Sequence, residues 1–407
     1  MTAKNVTAEK FIKSVTAILI GFILVKMLLL LLPFSELSVF LNSEYSIRIY
    51  DRNKNLIQVT PLAEGGRREF TQYSKIPKTL IKEFLRQEDK RFFFHHGVDY
   101  FSIVNSFIQN RKSGKIVRGG STISMQLSKI ISQNKTVSLK RKLSDVVFAY
   151  RMEGRLSKKQ ILELYLNSIY FGNNAWGVTS GARTYFGCEL SELTEIQMKI
   201  LAIIPRNPSF YNPVLNPEHF KIFGEDFFVA AKNAKLYSYP YQMPHFVNYL
   251  KASTNDFSSS AGQRKNWLNF PLKRYSEPCA EIHTSADIAV YQMANSFLRD
   301  ALEQAHNSRI SNASLLLLDN SDGSVLAWIG NADFFDKENG GQIDGVLVTN
   351  QPGSSMKPFL YALALESLDP DGNRMFEPNS VLADVPREFG GDSVYIPANF
   401  NNPFNGP

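Results

Sequence analysis

Glu88-Asp89 followed by Phe92, His95 and Gly97 puts two carboxylates among aromatic and imidazole groups, and chemistry on this chain starts there. Pro77 to Glu88 reads as a short helix, with Pro77 tolerated at its start and Leu80, Ile81, Phe84 and Leu85 forming its apolar face. Positions 81, 84 and 88 follow helical spacing, which sets Glu88 at the edge of that face. Partial burial and the negative end of the helix dipole would both favour a protonated carboxyl, the condition of a general acid or base. The same spacing also fits a solvated glutamate at a fraying helix end. His95 and His96 read as structural, because no third ligand follows them at metal-ligand spacing.

Two further groups of residues could do chemistry. Gly119-Gly120-Ser121-Thr122 follows a basic loop that starts at Lys115, and a helix start after two glycines offers free N–H groups to an anion, although many such starts are simple caps. Ser354-x-x-Lys357 at a helix start brings an amine beside a hydroxyl, as an acylating serine requires. Arg141 and Asp145 stand at i, i+4 on a helix from Leu139 to Glu153, where an ordinary ion pair explains them.

The elements that must position these groups are mostly helical. Asp99 is a fitting N-cap for a helix with Phe101, Val104, Phe107 and Ile108 inward and Gly114 at its end. Ile123, Leu127, Ile130 and Ile131 form the inner face of the next helix, and Leu139, Leu143, Val146, Val147 and Tyr150 that of the one after. Ser157 with Gln160, and Thr194 with Gln197, are capping boxes, and Pro205 terminates the second of these helices. Short strands are expected around Ile47 to Val59. A hairpin is expected from Ser314–Leu318 and Ser324–Ile329 across Asp319-Asn320-Ser321-Asp322-Gly323.

A hydrophobic content of 44% without long low-complexity runs indicates packed cores. The net charge of +7 is diffuse, which favours a membrane surface or phosphate over nucleic acid. Cys188 and Cys279 are too few for a disulfide framework. Residues 14–32 are a nearly unbroken apolar run, long enough for a single transmembrane helix. Lys4, Lys10 and Lys13 before it place residues 1–13 in the cytoplasm as a tail and the rest outside. Leu32-Pro33-Phe34-Ser35-Glu36 lacks a small-x-small cleavage site, so an uncleaved anchor is expected, with Lys26 snorkelling outward.

Taken in order, the motifs resemble the glycosyltransferase domain of class A penicillin-binding proteins. Glu88-Asp89-x-x-Phe92-x-x-His95-x-Gly97 matches the first family motif, and Gly120-Ser121-Thr122-Ile123-Ser124-Met125-Gln126-Leu127 the second. Arg141-Lys142-x-x-Asp145 sits where the family has Arg-Lys-x-x-Glu, so its carboxylate is one methylene shorter. Ser157-Lys158-x-x-Ile161-Leu162-Glu163-x-Tyr165-Leu166-Asn167 with Tyr170-Phe171-Gly172 is similar to the fourth. Met125 in place of a glutamine, with Gly340-Gly341-Gln342-Ile343-Asp344-Gly345, resembles the 1C branch of that family most.

The resemblance implies a membrane-anchored, multidomain chain. A mostly α, lysozyme-like glycosyltransferase domain would span 46–211, a linker 212–282, and the N-terminal part of an α/β penicillin-binding transpeptidase domain 283–407. It implies polymerisation of lipid II into a growing β-1,4-linked glycan strand, with inversion and release of polyprenyl pyrophosphate, at the outer face of a bacterial cytoplasmic membrane beside other cell-wall synthesis proteins. Glu88 would be the base that deprotonates the acceptor sugar's 4-hydroxyl. Asp145 with Arg141, Lys142 and Lys158 would organise the pyrophosphate, with or without Mg2+ or Mn2+ beside Asp145. Asp89, His95, Ser121, Thr122, Gln126 and Glu163 would complete the substrate site.

Met243-Pro244-His245-Phe246-Val247 is similar to the start of the family's transpeptidase region, and Ser354 with Lys357 to its acylating pair. The Ser-x-Asn and Lys-Thr/Ser-Gly elements of that family do not follow Lys357, and the sequence stops at Asn405-Gly406-Pro407. The chain by itself is therefore expected to leave peptides uncross-linked. A silent lipid II-binding scaffold and a lysozyme-like lytic enzyme are the competing readings. The second ranks last, because lysis needs neither an anchor nor a cationic pyrophosphate site.

Overall fold

The computed structural model describes residues 16, 20–21, 28–30, 33–114, 120–132, 138–253, 281–305, 310–349, 351–390, 395–399, 403–404 and 406. The basic loop 115–119, residues 258–262 of the expected linker, Cys279 and most of the 14–32 run, Lys26 included, lie outside them. No helix among the described residues is long and apolar enough to cross a membrane. The chain divides into two compact units, Met1–Val346 and Leu347–Pro407.

The main core of the first unit is helical, and its elements begin where the sequence supplies caps. Helix α1 (Ser35–Leu41) buries Leu37, Phe40 and Leu41, and α2 (Lys78–Glu88) buries Leu80, Ile81 and Phe84. The Asp99 carboxylate accepts from the Ser102 N–H to open α3 (Tyr100–Ser113), which ends on Gly114 at φ 65°. Next come α4 (Ile123–Ser132) and α5 (Leu139–Glu153), the latter capped by Ser138. Both capping boxes form, Ser157/Gln160 on α6 (Lys158–Leu166) and Thr194/Gln197 on α8 (Glu195–Ile203). Each satisfies two N–H groups that have no partner within the helix. Between them lie α7 (Val178–Phe186) and a three-stranded sheet of order β3-β5-β4, from Arg67–Arg68, Ala175–Trp176 and Tyr170–Gly172. Helix α9 (Glu225–Lys232) closes this body.

Two apolar stripes face the other way from their expected direction. Phe101, Val104 and Ile108 of α3 are exposed, and so are Leu143 and Val147 of α5. On α5 the buried positions are Asp145, Phe148, Ala149 and Met152, again at helical spacing. Helical periodicity shows that a face exists but not which of two candidate faces the neighbours cover. Here α4 packs against the one that holds Asp145.

A second, smaller core joins distant parts of the sequence. Strands β1 (Arg48–Tyr50) and β2 (Leu56–Val59) pair antiparallel, and β6 (Glu281–His283) pairs parallel to β1. Ile49 and Ile57 pack there with Met243, Phe246, Val247 and Trp328. These come from α10 (Pro244–Ser253), the residue before it, and the expected hairpin of β7 (Leu315–Leu318) and β8 (Val325–Ile329). Helix α11 (Ile288–Gln304), capped by Asp287, follows β6. His245 shares a hydrogen bond of 2.9 Å with the Gly341 carbonyl, so the Met-Pro-His and Gly-Gly-Gln segments meet. The second unit contains the 3-10 turn Gly353–Met356 and α12 (Lys357–Glu366).

Candidate active site

Glu88 is the last residue of α2, and its carboxylate lies in a cleft of about 410 Å3 with Ser121, Thr122, Gln126 and Arg206 on the walls. The side chain is 13% exposed. Its Oε2 accepts from the Gln126 amide at 2.8 Å. Its Oε1 is buried without a hydrogen bond and faces the Arg206 guanidinium, with Nε at 3.5 Å. The Gln126 carbonyl in turn accepts from the Tyr165 hydroxyl at 3.0 Å. Burial raises the Tyr165 phenol well above its ordinary pKa, and the Glu88 and Asp89 charges add to this, so Tyr165 stays a donor. One carboxylate oxygen is thus fixed by Gln126, and the other makes no hydrogen bond and is paired only ionically, with Arg206 on the cleft wall.

The neighbours of Glu88 hold the cleft together. Asp89 is buried, and its Oδ2 takes the Ile123 N–H of α4 at 3.1 Å and His95 Nε2 at 2.9 Å. Thr122 donates to the Gly97 carbonyl at 2.6 Å and accepts the Met125 N–H, capping α4. Gly97 has φ 86°, and a Cβ there would sit 3.2 Å from the Ala149 carbonyl carbon, so α5 backs directly onto the loop. Arg91 forks onto Asp99. Burial opposes the Asp99 charge, but the Arg91 and Ser102 hydrogen bonds outweigh it and hold the carboxyl far below the usual carboxylate range.

The remaining candidates form separate clusters and do not line this cleft. Asp145 lies behind α4, accepting from the Ser128 hydroxyl at 3.4 Å and facing Arg141 Nε at 3.6 Å. Lys142 is exposed. Lys158 is bonded to Glu153 at 2.7 Å and lies over the Phe92 ring, while Ser124 donates to the same Glu153 oxygen. Glu163 accepts the Tyr73 N–H. Ser354 and Lys357 are both exposed, in the 3-10 turn and at the first position of α12. Among the described residues no three His, Cys, Asp or Glu side chains come together as metal ligands. Asp145, with a serine and an arginine for partners, does not fit a divalent ion that requires several oxygens.

Arg206 and Tyr165 were not among the residues that sequence reasoning assigned to the site. Arg206 follows the helix-ending Pro205 in a 3-10 turn, and its Nη2 reaches the Gln87 carbonyl at 3.1 Å. Its signal was a cation beside a helix stop, which is common and uninformative alone. Tyr165 stood in the sequence only as one letter of the fourth motif, with no role attached to it.

Residues 53–224 match the family model described as Transglycosylase. The chain carries a transglycosylase domain. Over 382 residues it is 27% identical to penicillin-binding protein 1F of Bacillus subtilis (strain 168), covering 89% of this chain and 50% of that protein. Penicillin-binding protein 1A/1B of the same organism is 32% identical over 80% of this chain and 36% of its own length. Penicillin-binding protein 1A of Neisseria flavescens is 42% identical over 40% of this chain and 21% of its own. The chain therefore spans half of the first relative and less of the others. A crystal structure of penicillin-binding protein 1A from Haemophilus influenzae aligns over 89% of this chain and 58% of that one at 17% identity, with a TM-score of 0.41, too loose a match to say more. All the cleft residues named above fall within the transglycosylase domain.

Proposed function

We propose that the chain is a membrane-anchored peptidoglycan glycosyltransferase that polymerises lipid II into β-1,4-linked glycan and releases polyprenyl pyrophosphate with inversion. The observation that carries this reading is the Glu88 carboxylate in the cleft lining, held through Oε2 by Gln126 while Oε1 makes no hydrogen bond and has the Arg206 guanidinium beside it. Such an oxygen can take the proton of an acceptor hydroxyl as it attacks the anomeric carbon. Arg206 beside it, Ser121 at the start of α4 and the exposed Lys142 are candidates to receive the pyrophosphate. In this scheme Asp145 acts from behind α4 and Lys158 from the first position of α6, and Asp89, His95 and Thr122 position the cleft walls. We also assign Ser354 the role of acylated serine with Lys357 as its neighbour, on a chain of the 1C type laid out as domains 46–211 and 283–407.

Membrane attachment has support from both ends of α5. Near its start Leu143 and Val147 are exposed, as are Phe101 and Val104 of α3. Near its end Arg151 donates to the Leu29 and Pro33 carbonyls at 3.1 and 2.5 Å, and Arg155 to Leu30 at 2.7 Å. Both guanidiniums also lie on the Phe34 ring, and a Cβ on Gly154 would come within 2.2 Å of a Leu30 methyl. The last turn of the apolar N-terminal run is thus seated on the transglycosylase domain, its carbonyls capped by cations as the helix dipole favours.

Asp145 in place of the longer glutamate favours a second reading, a scaffold that binds lipid II without turnover. Polymerisation of labelled lipid II separates the two. Glu88→Gln is expected to lower the rate at least about 100-fold and Asp145→Glu to keep or raise it. Absence of product from wild type and both variants would leave the scaffold.

A further inference from the structure

On the flank of α2 that does not hold the cleft, the structure contains a groove of about 450 Å3 that the proposed reaction leaves unused. Lys78, Ile81, Lys82 and Leu85 line it from α2 at i, i+3, i+4 and i+7, one continuous helix face. Ile76 and the half-exposed Phe93 complete its apolar floor, and Lys159 of α6 stands across from the α2 lysines. Among the described residues none of the three lysines has a carboxylate partner, and no acid lines the groove. An apolar slot under three unpaired cations has the chemistry of an anionic amphiphile: a tail on Ile76, Ile81, Leu85 and Phe93, and a phosphate among the ammonium groups. An acidic peptide would match the charge, but its backbone N–H and C=O groups would meet an apolar floor.

Placement favours a lipid further. Lys159 follows Lys158, which is bonded to Glu153, and the next residue, Gly154, touches Leu30 at the end of the apolar N-terminal run. One ion pair and the packing of Leu30 on the Gly154 backbone therefore connect the residue next to Lys159 with the segment proposed to leave the bilayer. We propose that this groove binds one anionic phospholipid, headgroup on Lys78, Lys82 and Lys159, as a site separate from the Glu88 cleft. The inference rests on the membrane-proximal placement given above.

The test is equilibrium binding of radiolabelled dihexanoylphosphatidylglycerol to the full chain in neutral detergent. Wild type is expected to show one saturable site, weakened about tenfold or more in the Lys78→Gln/Lys82→Gln/Lys159→Gln variant and also weakened in Leu85→Gln, which keeps the charges. Unlabelled dihexanoylphosphatidylcholine and inorganic phosphate are expected not to displace the label. Equal binding by the triple variant overturns the site. Full displacement by inorganic phosphate makes it a phosphate site, and displacement by an acidic peptide but not by unlabelled phosphatidylglycerol makes it a protein contact; both overturn the lipid. Flotation with phosphatidylcholine vesicles checks the anchor on its own, since wild type and triple variant should float alike, and failure of both condemns the membrane reading whatever the groove binds.

Discussion

Gln126 can face Glu88 only one way round, because the carboxylate requires the amide's N–H and the Tyr165 hydroxyl then supplies the proton that the amide oxygen accepts. Tyr165, which does not itself line the cleft, thus aligns Glu88 through Gln126. Tyr165→Phe removes only the hydroxyl from a side chain with no exposed surface. It leaves the Gln126 oxygen unsatisfied at a stability cost of about 1 kcal/mol and frees the amide to turn its oxygen toward the carboxylate. Polymerisation kinetics on lipid II should show a fall in kcat of about tenfold with KM nearly unchanged. An unchanged kcat would mean that Gln126 does not orient the base. Arg206→Ala should act differently, raising KM, because that guanidinium faces the cleft and would meet substrate phosphate.

At the scale of elements, local chemistry was legible and orientation was not. Asp99, Ser157 and Thr194 start their helices where a side-chain oxygen three residues before a free N–H says they should. The Asp319–Gly323 turn joins its two strands with Gly323 at φ 73°. Glu88 and Gln126, named from the family resemblance, line one cleft. The direction of α5 was hidden, because Leu143 and Val147 look more like core than Asp145 does. The Ser128 hydroxyl, brought in by tertiary packing, and Arg141, one turn earlier on the same helix, make the buried carboxylate tolerable. Two substitutions check which face is inside. Leu143→Lys should shift urea-unfolding stability by no more than about 0.5 kcal/mol, while Phe148→Ala should cost about 3 kcal/mol. The opposite ranking would place the core on the other side of α5.

For the first unit as a whole, α2 to α9 of the helical body are inserted between strands that belong together, with α1 ahead of them. Ile49 and Ile57 enter before it, and Met243, Phe246 and Trp328 after it, yet they share one core. The closure is ionic as well as apolar. Arg48 pairs with Glu281 at 2.8 Å and donates to the Phe70 carbonyl at 2.7 Å, while the Thr284 N–H reaches the Tyr50 carbonyl at 3.0 Å. No sequence period reports a pairing of this separation, so the strands around Ile47 to Val59 were visible but their partner was not. Such a pairing forms only after a long loop closes, which makes it late in folding and sensitive to loss of either side. Ile49 has almost no exposed surface, and Ile49→Ala should cost about 2–5 kcal/mol. The loss should appear far from the mutation in sequence. Hydrogen exchange is expected to accelerate at the backbone amides of Glu281–His283 and in β8, whereas amides of α6, packed in the other core, keep their protection. Exchange that rose equally in α6 and β6 would show the two cores to be one cooperative unit, and unchanged exchange at β6 would show that β1 does not hold it.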